Sequence, residues 1–315
     1  MTAYIVRRLL LFIPTLVIVI TAVFLLIRMI PGDTVTIMVE DNQYAESADA
    51  LRERLGLNEP IYRQYMVWVA DLVRGDFGTS LHSNRSTWDE VRARGPVSLQ
   101  LGIMSLAVSL AIAIPIGIVS AARAGSLVDF GSRSFAIAML AMPSFWLATL
   151  AIVIPSVLWN TAIVQPYVHI WNNPLESLQV MIIPAFVGGA AGSASIMRMT
   201  RTMTLEVLRQ DYVRTAMAKG LQARVVMSRH VLKDAMIPVI TMIGLQVPII
   251  ISCSVSMEQV FSLPGMGRFL LQSITLRDYP MVQAMTLLVT VVVLTVNLVI
   301  DLMYPILDPR IDISR

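Results

Sequence analysis

The chain has 315 residues, of which 56% are hydrophobic and 14% charged. A soluble domain carries about 25% charged residues, so this composition excludes an ordinary soluble domain and implies a polytopic membrane protein. The single cysteine, Cys253, excludes an intrachain disulfide, and aromatic and basic residues do not interleave as they do in nucleic-acid binders.

The chain opens with Arg7 and Arg8 and then a long apolar run. The run is too long for a signal peptide and lacks a small-residue cleavage site, so it is expected to be a retained first span. Six blocks reach the roughly twenty apolar residues that a bilayer crossing needs, near 9–29, 98–121, 134–158, 178–199, 236–257 and 282–304. With both termini cytosolic, Arg7, Arg8, Arg123, Arg133, Arg310 and Arg315 fall on one side. So does the basic stretch between spans four and five, which runs from Arg198 and Arg201 to Lys233. The loop at 159–177 has neither Lys nor Arg, as the positive-inside rule requires of the opposite side.

This divides the chain into a first span (1–31), an external insertion (32–95), a five-helix core (96–305) with a cytosolic loop at 200–235, and a cytosolic tail (306–315). The fold class is all-α, with six transmembrane helices. In the insertion, Ala48 to Leu57 reads as a helix ended at Gly56. Ile61 to Val73 reads as an amphipathic helix with Tyr62, Tyr65, Met66, Val69 and Leu72 on or near one face. Gly75-Asp76-Phe77-Gly78 is a turn. The insertion is expected to form a small helical cap on the outer mouth.

Prolines bend several spans, because each removes a backbone hydrogen bond: Pro115 in span two, Pro143 in span three, Pro238 and Pro248 in span five. Span four starts near Pro184, and its Gly188 and Gly192 form a small-xxx-small pair that permits close helix packing. The loop after it holds a short helix from Tyr212 to Lys219. Asp211 is placed to cap that helix, and Gly220 to take the left-handed position that ends it. A second helical pattern, with Val225, Val226, Val231, Leu232 and Ala235, runs into the next block at Pro238.

The stretch Asp211-Tyr212-Val213-Arg214-Thr215-Ala216-Met217-Ala218-Lys219-Gly220 resembles the "EAA" loop of ABC-importer permeases, in the form typical of the dipeptide/oligopeptide/nickel group. Arg214-Thr215-Ala216 stand where the group's Glu-Ala-Ala triplet stands, and Gly220 matches its glycine. Lys233 occupies the place of the general motif's later proline, which here arrives at Pro238, a variation common in the peptide group. Pro31-Gly32-Asp33, Leu55-Gly56-Leu57 and the turn from Gly75 to Ser80 also resemble this group. So do Ser256 to Phe261 with Pro264 to Arg268, Arg277-Asp278-Tyr279-Pro280, and the ending from Asn297 to Tyr304 with Asp308-Pro309-Arg310. The likeness runs in order from Tyr4 to Arg310.

The resemblance implies the membrane-spanning permease subunit of an ATP-driven importer in the cell (inner) membrane, most often for dipeptides or oligopeptides. It further implies a second, similar permease subunit, two ATP-binding subunits and an external substrate-binding protein. ATP and magnesium would sit on the ATPase subunits and no cofactor on this chain. Asp211, Tyr212, Arg214, Thr215, Ala216, Lys219 and Gly220 would form the contact with the ATPase. Ala216 and Gly220 would be small so that the helix sits deep in its cleft, and Arg214 and Lys219 would meet acidic groups there. Nickel and glutathione are handled by near relatives of the group.

The residues themselves show no enzyme. His82, His169 and His230 fit no metal-binding spacing, and neither a phosphate-cradling loop nor a Gly-x-Ser-x-Gly elbow is present. Energy must therefore come from a partner or an ion gradient. The central stretches of spans two to four hold no ionisable residue, which disfavours a gradient-driven carrier but leaves it as the alternative. A structural scaffold is a third reading. Asp301 is expected to bond Asn297 one turn earlier or a neighbouring helix. Candidates for the translocation path are Ser144, Gln246, Ser252, Ser254 and Glu258, with Ser105 and Ser109. For each serine, a bond to its own helix backbone is the competing role. Met104, Met139, Met142, Met236 and Met242 could form an adaptable gate or simply pack.

Overall fold

A computed structural model describes residues 2–29, 35, 48–54 and 56–307. Pro31-Gly32-Asp33, Leu55 and Asp308-Pro309-Arg310 lie outside the described residues, as do the side chains of Tyr4, Arg7, Arg8 and Asp301. The described helices in chain order are α1 (Thr2–Met29), α2 (Ala48–Arg54), α3 (Ile61–Val73), α4 (Thr87–Ala122), α5 (Leu127–Ala141), α6 (Ser144–Trp159), α7 (Pro174–Leu208), α8 (Asp211–Ala218), α9 (Ala223–Val226), α10 (Leu232–Val260), α11 (Met266–Thr275) and α12 (Tyr279–Leu307). A π-helical turn, Met227–Val231, joins α9 to α10. Among the described residues the only strand-like pairing is an isolated bridge between Thr79 and Ser86.

Five of these helices are long and apolar enough to cross a membrane, or six if one bent pair counts as a single span. The bent pair lies where one continuous third span is expected. Its halves, α5 and α6, meet at 101°. Pro143 is the cause. A residue before proline is pushed out of the helical region, and Met142 is extended, with φ −93° and ψ 127°. At 1.5 Å per residue, α5 and α6 are each about 23 Å long, shorter than a hydrocarbon core of about 30 Å. Span four also differs from expectation. It begins at Pro174, capped by Asn173, and passes through Pro184 without stopping.

Contacts divide the chain into two units, Met1–Pro96 with Gly265–Thr295, and Val97–Pro264 with Val296–Arg315. In the first, α3 lies along α1. Trp68 stacks on Phe24 at 5.5 Å and Tyr65 meets the same ring edge-on at 5.1 Å. The Tyr65 hydroxyl shares a 2.7 Å hydrogen bond with Thr21. The face of α3 turned to α1 is thus Gln64, Tyr65 and Trp68, while Tyr62 and Met66, expected on that face, are exposed. The turn at 75–80 is tied to Asp278. Ser80 donates to its carboxylate at 2.6 Å, and Thr87 bonds back to the carbonyls of Phe77 and Gly78. Two of the stretches that carry the family resemblance therefore meet in space.

In the second unit, α4 and α7 approach closely. A Cβ on Gly189 would stand 2.6 Å from the Ser105 carbonyl oxygen, and one on Gly117 would stand 2.8 Å from Thr200. Gly188 faces Ser105 and Gly192 faces Ser109 between these points. Partners advance together along both chains, so the two helices run parallel. The turn after α4 and the segment after α7 consequently emerge at the same end. Around this pair lie two apolar clusters. One holds Leu101, Met181, Ala185 and Met257, the other Ala113, Ala136, Ala194 and Val239.

At that shared end Arg201 of α7 forms a bidentate pair with Asp129 of α5, at 2.6 and 2.8 Å. Ser120 of α4 donates to the same carboxylate at 2.6 Å and the Gly125 amide at 3.0 Å. The Ser126 hydroxyl accepts the Asp129 amide and caps α5. Asp129 is 2% exposed, so its charge is held by this cage and not by water.

Two outcomes follow from this packing. Gly189→Ala should lower the melting temperature of the detergent-solubilised chain, since overpacking costs about 1–3 kcal/mol. Gly102→Ala, with open space around it, should not. Asp129→Ala should destabilise by about 3–5 kcal/mol, because it leaves a largely buried guanidinium unpaired. The double variant Asp129→Ala/Arg201→Leu should recover most of that loss. A double variant no more stable than the single would mean that the arginine had no need of its partner.

Candidate functional site

The polar segment after α7 folds around a small core of its own. Val213 and Ala216 of α8 turn inward against Val226 and Val231, with Val207, Leu208 and Met227 at the edges. The helix starts one residue earlier than the capping pattern suggests. Gln210 takes the cap position without a side-chain bond, and Asp211 is the first helical residue. The Asp211 carboxylate is 95% exposed and faces Arg214 at 3.5 Å, an exposed pair that contributes little to stability. Its carbonyl accepts the Thr215 hydroxyl at 2.9 Å.

The far end closes in a Schellman turn. The Gly220 amide bonds the Met217 carbonyl at 3.0 Å and the Leu221 amide reaches back to Ala216 at 3.4 Å. Gly220 has φ 77°. Nothing stands within 4 Å of the position of its missing Cβ, so glycine is needed there for backbone shape and not for space.

Tyr212 fastens α8 to α10. Its hydroxyl donates to Asp234 at 2.8 Å. Burial, and then that hydrogen bond and the carboxylate's charge, push the Tyr212 pKa up to about 12, so it remains a donor at neutral pH. The π-helical turn lies between the two fastened ends, and such turns recur at functional sites.

The exposed residues of α8 and the turn that ends it are therefore Asp211, Tyr212, Arg214, Thr215, Met217, Ala218, Lys219, Gly220 and Leu221. Met217 is 48% exposed and Leu221 43%. These two apolar residues join the surface although the motif did not point to them. The signal available in the sequence was their spacing, one turn apart across the helix end. Ala216 is absent from that face. Its small side chain is explained by packing within this chain. Arg201 counts in the sequence only as positive charge, and here its pair with Asp129 anchors the helix from which α8 departs.

The candidates for the path do not converge. Along α10, a helical repeat of 3.6 residues places Gln246, Ser254 and Glu258 on one side, and all three are buried. Glu258 accepts the Ser98 hydroxyl at 2.6 Å. Ser252 lies on the other side and shares an open groove with Ser144, Pro248, Ile249, Cys253 and Ser256. Ser252 and Ser254 each bond a carbonyl of their own helix, at 3.0 and 2.7 Å. Ser105 is buried against Gly188, and the buried Ser109 hydroxyl has no partner among the described residues. Met104 packs in the first apolar cluster and Met139 and Met236 in the second, so these three do not gather at one constriction. No group of three metal-ligating side chains exists among the described residues.

Comparison with known proteins agrees with this architecture. Residues 113–313 match the family model described as binding-protein-dependent transport system inner membrane component, and residues 1–102 match the model of its N-terminal part. An oligopeptide transport system permease protein, AppB of Bacillus subtilis, is 38% identical, over 99% of this chain and 100% of its own. The dipeptide transport system permease protein DppB of Escherichia coli is 37% identical, over 99% of both chains. The di/tripeptide permease protein of Pseudomonas aeruginosa is 38% identical, over 100% of both. Among solved structures, an inward-facing methionine ABC transporter, MetNI, shares the fold with a TM-score of 0.50 at 16% identity, over 67% of this chain and 93% of that one. The chain belongs to the family of multi-pass inner-membrane components of binding-protein-dependent transport systems.

Proposed function

We propose that this chain is the permease subunit of an ATP-driven importer of short peptides, working by alternating access. The curated relatives support the substrate class, since their names specify oligopeptides, dipeptides and di/tripeptides. The observation that carries the mechanism is α8. It is a short helix with its own core, pinned to α10 through Tyr212 and Asp234, and it offers a basic and apolar face to a partner. A push on that face moves the start of α10 with it.

In this reading the partner is one of two ATP-binding subunits, which carry ATP and magnesium, so the chain itself is not catalytic and needs no cofactor. Arg214, Thr215, Lys219 and Gly220 make the contact, with Met217 and Leu221 filling apolar hollows. Asp211 stands at its edge and Ala216 and Tyr212 hold the helix in place. A second, similar permease subunit completes the pathway and an external binding protein delivers the peptide. The end of α4 and α7 that carries Arg123 and Arg201 faces the cytosol, as do both termini, because basic segments stay inside. The 32–95 insertion then lies outside. Ser144 and Ser252, on the open groove, are the better candidates for the path. Gln246, Ser254 and Glu258 shape it from within the bundle.

Mild-detergent purification of the tagged chain, with mass spectrometry of what accompanies it, tests this assignment. Two P-loop ATPases, a second six-span protein and a peptide-loaded binding protein are expected. Recovery of the chain alone, transporting in response to an ion gradient, would sink it. Gly220→Trp should lower peptide uptake at least tenfold while the complex still reaches the membrane, because φ 77° strains any residue with a side chain and the bulky ring would stand on the contact face. Normal uptake by that variant would remove α8 from the contact.

A further inference from the structure

The first unit contains a cavity of about 430 Å³ between α3, the turn at 75–81 and the start of α12. That size suits a small ligand. Trp68, Phe77 and Pro280 give it apolar walls. Gln283 also lines it, 4% exposed, and its side-chain Nε2 has no acceptor among the described residues. A buried amide donor left without a partner is a cost that folded chains avoid.

Arg28 stands on the same cavity. Among the described residues its guanidinium bonds neutral acceptors, Gln64 Oε1 at 2.9 and 3.1 Å and the Phe24 carbonyl at 3.4 Å, and it lies over the Phe24 ring. No carboxylate among the described residues pairs with it. The acidic groups on the rim are already engaged. Glu59 pairs with Arg63 at 2.9 Å, Asp71 faces Arg74 at 3.8 Å, and Asp76 accepts the Gly78 amide at 2.8 Å. Among the described residues the cavity therefore holds one cation without a counter-ion and one buried donor without an acceptor, beside aromatic walls.

We infer that this cavity is a carboxylate-binding site, in which Arg28 and the Gln283 amide receive the two oxygens and Trp68 and Phe77 contact the adjoining apolar group. The carboxylate belongs either to a free short peptide or to an acidic side chain of the docked binding protein. Only this choice of carrier rests on the function proposed above.

The test uses the complete transporter in nanodiscs and tritiated trialanine, first without the binding protein. If the peptide is the carrier, trialanine binds saturably, and C-terminal amidation, Arg28→Gln or Gln283→Leu each weakens binding at least tenfold, whereas N-acetylation does not. If the protein is the carrier, trialanine is silent and the binding protein associates at least tenfold more weakly with both variants. Unaltered binding in both assays overturns the inference. Melting supplies an independent readout, because a donor kept for a ligand is a burden to the empty fold. Gln283→Leu should melt at a higher temperature than the parent chain, and a lower melting point would show that the amide serves the fold instead. That comparison reads the cavity whether or not the complex transports peptides.

Discussion

The second unit depends on how closely α4 and α7 approach. In lipid there is no hydrophobic gain from bringing two apolar helices together, so association rests on dispersion contacts and on hydrogen bonds between helices. Both require backbones to come near. Gly189 and Gly117 allow this because no Cβ occupies the crossing points. Once the helices touch there, their parallel direction brings Ser120, Asp129 and Arg201 together at one end. The glycine crossings hold the helices at the separation at which the ion pair is made.

α8 stands on this frame through two attachments of different kinds. One is covalent, the short link from α7. The other is the bond from Tyr212 to Asp234. Between them the apolar contacts of Val213 and Ala216 make the segment a solid body, not a loose loop. The partner proposed above, gripping its outer face, would act on two spans at once. The Asp129 cage resists movement of α7, while α10 is interrupted at its base by a π-helical turn. Of the two, α10 is the one whose regular hydrogen bonding is interrupted.

Much of this was legible in the sequence, and what was not has physical causes. Hydropathy placed five of the expected spans, the third being a bent pair, and glycine chemistry marked the helix end at Gly220, whereas the tightest helix contacts fall at Gly189 and Gly117 and not at Gly192. The break at Pro143 was readable as a lost hydrogen bond, but its angle of 101° was not. The pair between Asp129 and Arg201 joins residues 72 positions apart, which no local pattern encodes. The split among the path serines was available from periodicity alone, since residues 252 and 254 are two apart and point to different sides of a helix. The outer face of α8 was only partly readable. The motif marks its polar residues, whereas the inward turn of Ala216 and the exposure of Met217 depend on the core formed with Val226 and Val231.

A π-helical turn is one surplus residue held within a helix. It advances the phase of everything beyond it by about 100° relative to an uninterrupted α-helix. The surplus sits at Met227–Val231, so the side chains that follow from Leu232 are rotated relative to those of α9. Such a defect can travel along a helix by exchanging one hydrogen bond at a time, without unwinding it. Each residue that it passes rotates by the same increment and slides by about 1.5 Å. Moving the surplus toward the middle of α10 would rotate the intervening residues as a screw. A helix of fixed ends would then present a different set of side chains to the groove beside Ser252.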